Sequence, residues 1–180
     1  MSRLFLSAAH KSSGKTTVSI GLAAALAARG LAVQTFKKGP DYIDPMWLAR
    51  ASGRPCFNLD FNTQSASEIA AAFAERASGA DIALVEGNKG LHDGLDLEGG
   101  DSSAALAKLL AAPVVLVIDA AGMMRGVAPL VLGYQAFDAG VMIAGVILNK
   151  LGPARQETKL RQALERYTDV PVLGAIGREP

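Results

Sequence analysis

The chain has 180 residues, half of them hydrophobic and 19% charged, with a formal net charge of +1. That length suffices for one domain with a sizeable core, and the near-neutral balance supplies neither a basic field for nucleic acid nor an acidic tract of the kind that stays disordered. The one cysteine, Cys56, excludes an internal disulfide framework and a cysteine-cluster zinc site, and fits a reducing, cytoplasmic setting.

The first apolar run, Arg3 to Ala8, predicts a strand. It leads into Ala9-His10-Lys11-Ser12-Ser13-Gly14-Lys15-Thr16 and then into an alanine- and leucine-rich helix over residues 16–28, ended by Gly30. Strand, loop with Gly-Lys-Thr, and helix together make the setting of a phosphate-binding loop. Successive backbone N–H groups curl around phosphates, the lysine charges the β/γ oxygens, and the next hydroxyl holds Mg²⁺. Those roles fall to Gly14, Lys15 and Thr16, with Ser12, Ser13 and Thr17 as further nucleotide contacts. Ala9 stands where the motif has its first glycine.

A second strand, residues 32–37, runs into Lys37-Lys38-Gly39-Pro40-Asp41-Tyr42-Ile43-Asp44-Pro45, which reads as a carboxylate-bearing turn. Ser65 and Glu68 form a capping box for a helix over 67–78. The third strand, 81–86, opens the loop Glu86-Gly87-Asn88-Lys89-Gly90-Leu91-His92-Asp93-Gly94. A helix over 102–110 precedes the fourth strand, 113–118, with Asp119 behind it. The remaining elements are a helix over 126–136, a fifth strand over 141–149 closed by Asn149-Lys150, a helix over 155–167 and a sixth strand over 172–176.

This alternation predicts an α/β chain with the three-layer P-loop NTPase fold: a mostly parallel sheet flanked by helices, in one domain over residues 1–180. No apolar stretch approaches about twenty residues, so no membrane span is expected, and the N-terminus carries no signal-peptide pattern. In such a sheet ligands sit beyond the carboxyl ends of the strands. Glu86, ending an apolar strand, is the candidate metal-holding acid, and Asp41 is a second. Neither His10 nor His92 has a partner at zinc-ligand spacing.

Beyond these motifs, Ser13-Gly14-Lys15-Thr16-Thr17, the run Phe36 to Pro45, Gly53-Arg54-Pro55 with Asn58-Leu59-Asp60, and Glu86-Gly87 with Gly90-Leu91-His92-Asp93-Gly94 resemble the N-terminal domain of cobyrinic acid a,c-diamide synthases. The resemblance covers nearly the whole chain, and Asp119-Ala120-Ala121-Gly122-Met123 and Ile147-Leu148-Asn149-Lys150 extend it. It implies an ATP-dependent amidoligase, similar to dethiobiotin synthetase in its nucleotide fold, that activates a tetrapyrrole carboxylate as an acyl phosphate for attack by ammonia. By that resemblance Thr16, Asp41 and Glu86 contact Mg²⁺, Lys15 the phosphates and Asn149 the adenine. Tyr42, Asp44, Leu91 and Asp93 lie toward the tetrapyrrole and its reacting carboxylate.

The implied cofactors are ATP and Mg²⁺. The implied partners are a tetrapyrrole polycarboxylate and a glutaminase domain, in the same full-length chain or as a separate subunit; a homodimer is compatible, and no nucleic acid or membrane is involved. Two departures stand out. The family's glutaminase works through a cysteine nucleophile, whereas Cys56 sits in Gly53-Arg54-Pro55-Cys56-Phe57 without a nucleophile turn, so a fragment or split protein is expected. Asn88-Lys89 replaces an apolar pair and puts a cation on the substrate side, which leaves sirohaem or sirohydrochlorin amidation open. A partition-type regulatory ATPase is the alternative from another class; it calls for a lysine where His10 stands.

Overall fold

A computed structural model describes residues 1–178. Seven strands form one sheet: β1 (Ser2–Ala8), β2 (Val33–Lys38), β3 (Phe57–Leu59), β4 (Ile82–Glu86), β5 (Val114–Asp119), β6 (Ile143–Leu151) and β7 (Val172–Gly177). Their order is β3-β2-β4-β1-β5-β6-β7, and every pairing is parallel. Six helices connect them: α1 (Lys15–Ala28), α2 (Asp44–Ser52), α3 (Ala66–Ala77), α4 (Ser103–Leu109), α5 (Val127–Phe137) and α6 (Ala154–Tyr167).

Side chains alternate faces along a strand, so the apolar strands feed two cores. Phe5, Phe36, Val85 and Leu116 pack with Ile69 and Phe73 of α3, Leu106 of α4, Val131 of α5 and Leu160 of α6. Leu6, Val33, Leu84 and Val117 pack on the other face with Val18 and Ala23 of α1, joined by Ala51 of α2. The Phe36 and Phe73 rings meet at 4.9 Å and a 43° tilt. Burying an aromatic of this kind stabilises the fold by about 1.5–3 kcal/mol. The expected capping box is present: Ser65 Oγ accepts from the Glu68 amide, and the Glu68 carboxylate accepts from the Ser65 amide.

Two elements correct the sequence reading. Asp44 and Pro45, read as part of a turn, instead open α2, with Pro45 in its first turn and Gly53 (φ 69°) ending it. Phe57–Leu59 forms a seventh strand, too short for a periodicity and held by pairing with β2. That edge strand has a use: the Gly39 amide donates to the Leu59 carbonyl at 2.9 Å, and Asn58 Nδ2 donates to the Asp41 carbonyl at 2.8 Å. A side chain at Gly39 would strike Asn58 Oδ1 at 2.8 Å. The turn carrying Asp41 and Asp44 is thereby fixed against the sheet.

The strand order reverses at β1, which lies between β4 and β5. This is the switch point at which open α/β sheets leave a crevice for ligands. The phosphate loop follows β1 directly.

Candidate active site

Three consecutive strands of the sheet bring the charged groups together. Lys37 on β2 is in register with Glu86 on β4, and Glu86 is in register with Leu6 on β1. From the β1 side, α1 delivers Lys15 and Thr16. The turn and α2 deliver Asp44.

Glu86 is fully buried, and its Oε1 accepts three donors, each at 2.8 Å: Lys15 Nζ, Lys37 Nζ and Thr16 Oγ1. Lys37 Nζ also lies 2.6 Å from Asp44 Oδ2 and donates to the Gly87 carbonyl at 3.2 Å. Thr16 Oγ1 reaches Asp44 Oδ2 at 3.2 Å. Two lysines and two carboxylates therefore balance in charge within one buried cluster.

Their protonation follows from that packing. Burial, aided by the like charge of Lys37, outweighs Glu86 and lowers the Lys15 pKa below the ordinary lysine value. Burial also opposes the charge on Lys37, but Glu86 and Asp44 prevail and raise its pKa. For Asp44 burial disfavours the anion, yet the hydrogen bond and charge of Lys37 hold its carboxyl below the usual aspartate range. Lys38 is buried and its pKa is lowered by that burial, with Asp101 and Asp60 partly offsetting it.

The cluster opens into a cavity of about 470 Å³ lined by the phosphate loop from His10 to Thr17 together with Lys37, Asp44, Asn88 and Lys89. Gly14 has φ 88°, and a Cβ there would clash with Asn149 Nδ2. Only glycine serves at this position. Ser13 is buried, whereas Ser12 and Thr17 are exposed at the rim. Asn149 Nδ2 donates to the Ser13 carbonyl at 2.9 Å, so this residue reaches the loop from β6.

The other expected site residues divide. Asp41 Oδ1 accepts from the amides of Ile43 and Asp44, at 2.9 and 3.0 Å, and its Oδ2 lies 3.7 Å from Lys37. The loop carboxylate against Thr16 is that of Asp44. Tyr42 is 83% exposed at the start of α2, beside exposed Ile43, Met46 and Trp47. Asp93 is exposed, and its Oδ2 accepts from the Gly90 amide at 2.9 Å. Lys89 (φ 50°) stands exposed at the cavity lip.

Leu91 corrects the expectation that it meets substrate. It is fully buried in the larger core, with its amide bonded to the Ala8 carbonyl at 2.9 Å. It anchors the loop from beneath.

Lys37 was missed as a site residue, because β2 reads Val33-Gln34-Thr35-Phe36-Lys37-Lys38 and only its burial in the sheet shows that the lysine needs a counter-charge. Burial pushes the Cys56 thiol up to about 11, which disfavours the thiolate that a nucleophile needs. Among the described residues no three His, Cys, Asp or Glu side chains cluster to hold a metal by themselves, and no helix is long and apolar enough to cross a membrane.

Residues 7–180 match the family model described as the CobQ/CobB/MinD/ParA nucleotide binding domain. A cobyrinate a,c-diamide synthase of Magnetococcus marinus is 57% identical over 176 residues, which cover 98% of this chain and 38% of that protein. A hydrogenobyrinate a,c-diamide synthase of Streptomyces coelicolor is 51% identical over 177 residues, covering 98% of this chain and 36% of that protein. The chain thus spans well under half the length of these relatives. Among solved structures, the signal recognition particle receptor FtsY from Elizabethkingia anophelis superposes with a TM-score of 0.69 at 20% identity, covering 99% of this chain and 59% of that one. HypB from Helicobacter pylori gives 0.64 at 14%, covering 100% and 80%. These two show the fold alone.

Proposed function

From the premise that this chain belongs to the family of CobQ/CobB/MinD/ParA nucleotide binding domains, we propose that it is the ATP-binding domain of an ATP-dependent carboxylate–amine ligase acting on cobyrinate or hydrogenobyrinate in cobalamin biosynthesis. The observation that carries this reading is the buried Lys15–Glu86–Lys37–Asp44 cluster at the mouth of the phosphate loop. The relatives named as cobyrinate and hydrogenobyrinate a,c-diamide synthases support the substrate class.

The chemistry asked of the site is the meeting of two anions. A substrate carboxylate attacks the γ-phosphorus of ATP, the β,γ-bridging P–O bond breaks, and ADP leaves. Ammonia then attacks the acyl carbon; the C–O bond to phosphate breaks, inorganic phosphate leaves, and the nitrogen loses a proton to solvent. Lys15 stands at the loop to neutralise the transferring phosphoryl group, while Lys37 holds the Glu86 and Asp44 carboxylates in place.

The donor set suits a magnesium ion. Thr16 and Asp44 bring hard oxygens to the cavity wall, and the Glu86 carboxylate lies behind them, its Oε1 2.8 Å from Thr16 Oγ1 and its Oε2 buried without a partner. Asp41, also expected as a ligand, spends its Oδ1 on the Ile43 and Asp44 amides and has its Oδ2 3.7 Å from Lys37, which suits it to shaping the turn. A bound Mg²⁺ would spread the charge of the phosphates; its remaining positions suit phosphate oxygens and water.

In this reading ammonia comes from a glutaminase domain, in the same chain or another. With ammonium salts supplied directly, ADP should form only when a tetrapyrrole acid is present. The test runs cobyrinic acid, hydrogenobyrinic acid, sirohaem and 7,8-diaminopelargonic acid in parallel. Turnover with sirohaem alone, or nucleotide hydrolysis indifferent to every acid, would overturn the assignment.

A further inference from the structure

Five consecutive carbonyl oxygens of the phosphate loop each meet a side-chain donor, and three of those donors, Tyr134, Asn149 and Lys150, stand outside the cavity lining. Tyr134 of α5 donates its hydroxyl to the Ala9 carbonyl. Ser13 Oγ donates to the His10 carbonyl at 2.8 Å, and His10 Nδ1 lies 2.7 Å from the Lys11 carbonyl. Lys150 Nζ donates to the Ser12 carbonyl at 2.7 Å, and Asn149 Nδ2 to that of Ser13. Two of these donors are local; three come from elements more than a hundred residues away.

The direction of these carbonyls matters because phosphate needs N–H groups. A carbonyl that rotates inward places its negative end against the anion, and a free loop spends part of its time in such conformations. Lys150 is well suited to prevent this. Its ammonium is aimed by Asp119 Oδ2 at 2.7 Å, and both it (φ 58°) and Ser12 (φ 67°) hold left-handed backbone, which is uncommon outside glycine. At the other end, Ala9 is pinned through its amide to Val117 and through its carbonyl to Tyr134, where the common motif has a more permissive glycine.

We infer that Tyr134 and Lys150 are positioning residues that hold the loop carbonyls away from the phosphates and so preform the anion site before nucleotide arrives. The inference rests on the nucleotide-binding reading above. Neither side chain needs to touch the nucleotide. Tyr134 acts through Ala9, with its ring stacked on His92 at 5.5 Å, and Lys150 acts through Ser12 with Asp119 behind it.

The test compares the parent chain with Tyr134→Phe, Lys150→Met and the double variant. Calorimetry with Mg·ADP measures affinity, thermal melting without nucleotide measures stability, and hydrogen exchange follows amides 9–16. Each single variant should weaken Mg·ADP roughly five- to tenfold, as expected for loss of one preorganising hydrogen bond, and the double variant should lose more than either. Exchange should quicken within the loop while the melting temperature stays within about 2 °C of the parent, a shift smaller than about 1 kcal/mol produces in a domain of this size. Lys150→Arg, which keeps a charged donor, should recover most of the affinity. Should Lys150→Met fail to fold, Asp119→Asn replaces it and should weaken Mg·ADP about threefold by loosening Lys150. Unchanged affinity in the single variants, or affinity losses that track losses in melting temperature, would overturn the positioning role. A parent chain that binds no Mg·ADP removes the nucleotide reading and this inference with it.

Discussion

Lys37 and Glu86 sit directly opposite one another on neighbouring strands, and their charged ends meet at 2.8 Å with both side chains almost wholly out of water. Asp44 adds a second carboxylate to the same ammonium at 2.6 Å. The sheet register, rather than a flexible loop, therefore sets the distance between Glu86 and its buried cation. Lys37→Met should leave two carboxylates facing each other beside a buried wall. We expect a stability loss of about 3–5 kcal/mol, the usual consequence of removing one partner from a buried pair. In a double-mutant cycle, adding Glu86→Gln should restore part of that loss, giving a coupling of about 1 kcal/mol or more by denaturant titration. Strict additivity would mean that the two charges do not depend on each other.

Lys15→Ala should abolish nucleotide turnover, with a rate loss of about 10² or more, because the positive charge that stabilises the transferring phosphoryl group disappears. Stability should fall less than for Lys37→Met, since Lys37 still neutralises Glu86. Steady-state ADP release read beside thermal melting separates the two effects. Hydrolysis near the parental rate would remove Lys15 from the phosphate site.

Glu86→Gln keeps the shape of the side chain and removes its charge. The magnesium concentration for half-maximal turnover should rise, and Asp44→Asn should move it in the same direction because both carboxylates flank Thr16. Asp41→Asn should shift it less, since Asp41 serves mainly to cap the turn. An unchanged titration for Glu86→Gln and Asp44→Asn, with a large shift for Asp41→Asn, would restore Asp41 to the metal shell.

The order of these effects was only partly open to sequence reasoning. The phosphate loop and the Ser65–Glu68 capping box were readable because their chemistry lies within a few consecutive residues. Helix α2 was not, because Asp44-Pro45 opens a helix with the same residues that make a turn. Strand β3 exists only through its pairing to β2, which no local pattern encodes. Leu91 was placed near substrate from its position in a loop motif, but a motif's spacing carries no side-chain direction, and its neighbours in space make it core. Lys37 needed one more step: a cation inside a buried strand demands an anion from elsewhere in the chain.

Asp44 also predicts a pH dependence. Its carboxyl pKa is lower in the folded chain than the ordinary aspartate value. A depressed folded pKa gives a contribution that is complete above the unfolded value, near 4, and is lost as pH falls through the lower folded value. Asp44→Asn should therefore be less stable than the parent at pH 7, with a shallower decline between about pH 5 and pH 2. Parallel stability curves for parent and variant across that window would rule Asp44 out as a source of the acid sensitivity.

Lys89 provides the sharpest test of substrate recognition. It is exposed, has left-handed backbone at φ 50°, and lines the cavity opposite the phosphate loop. A peripheral carboxylate of a tetrapyrrole could reach its ammonium from the solvent side, and so could a phosphate from within. Lys89→Met should raise the KM for the tetrapyrrole about tenfold, the size of one charge-assisted contact of about 1.5 kcal/mol, while Mg·ADP affinity stays within about twofold. Cobyrinic and hydrogenobyrinic acids differ in the metal and share their side-chain carboxylates, so both should weaken together if Lys89 grips a carboxylate. Equal weakening of Mg·ADP would move the lysine to the nucleotide. No change in either would leave it a solvated charge on a strained loop.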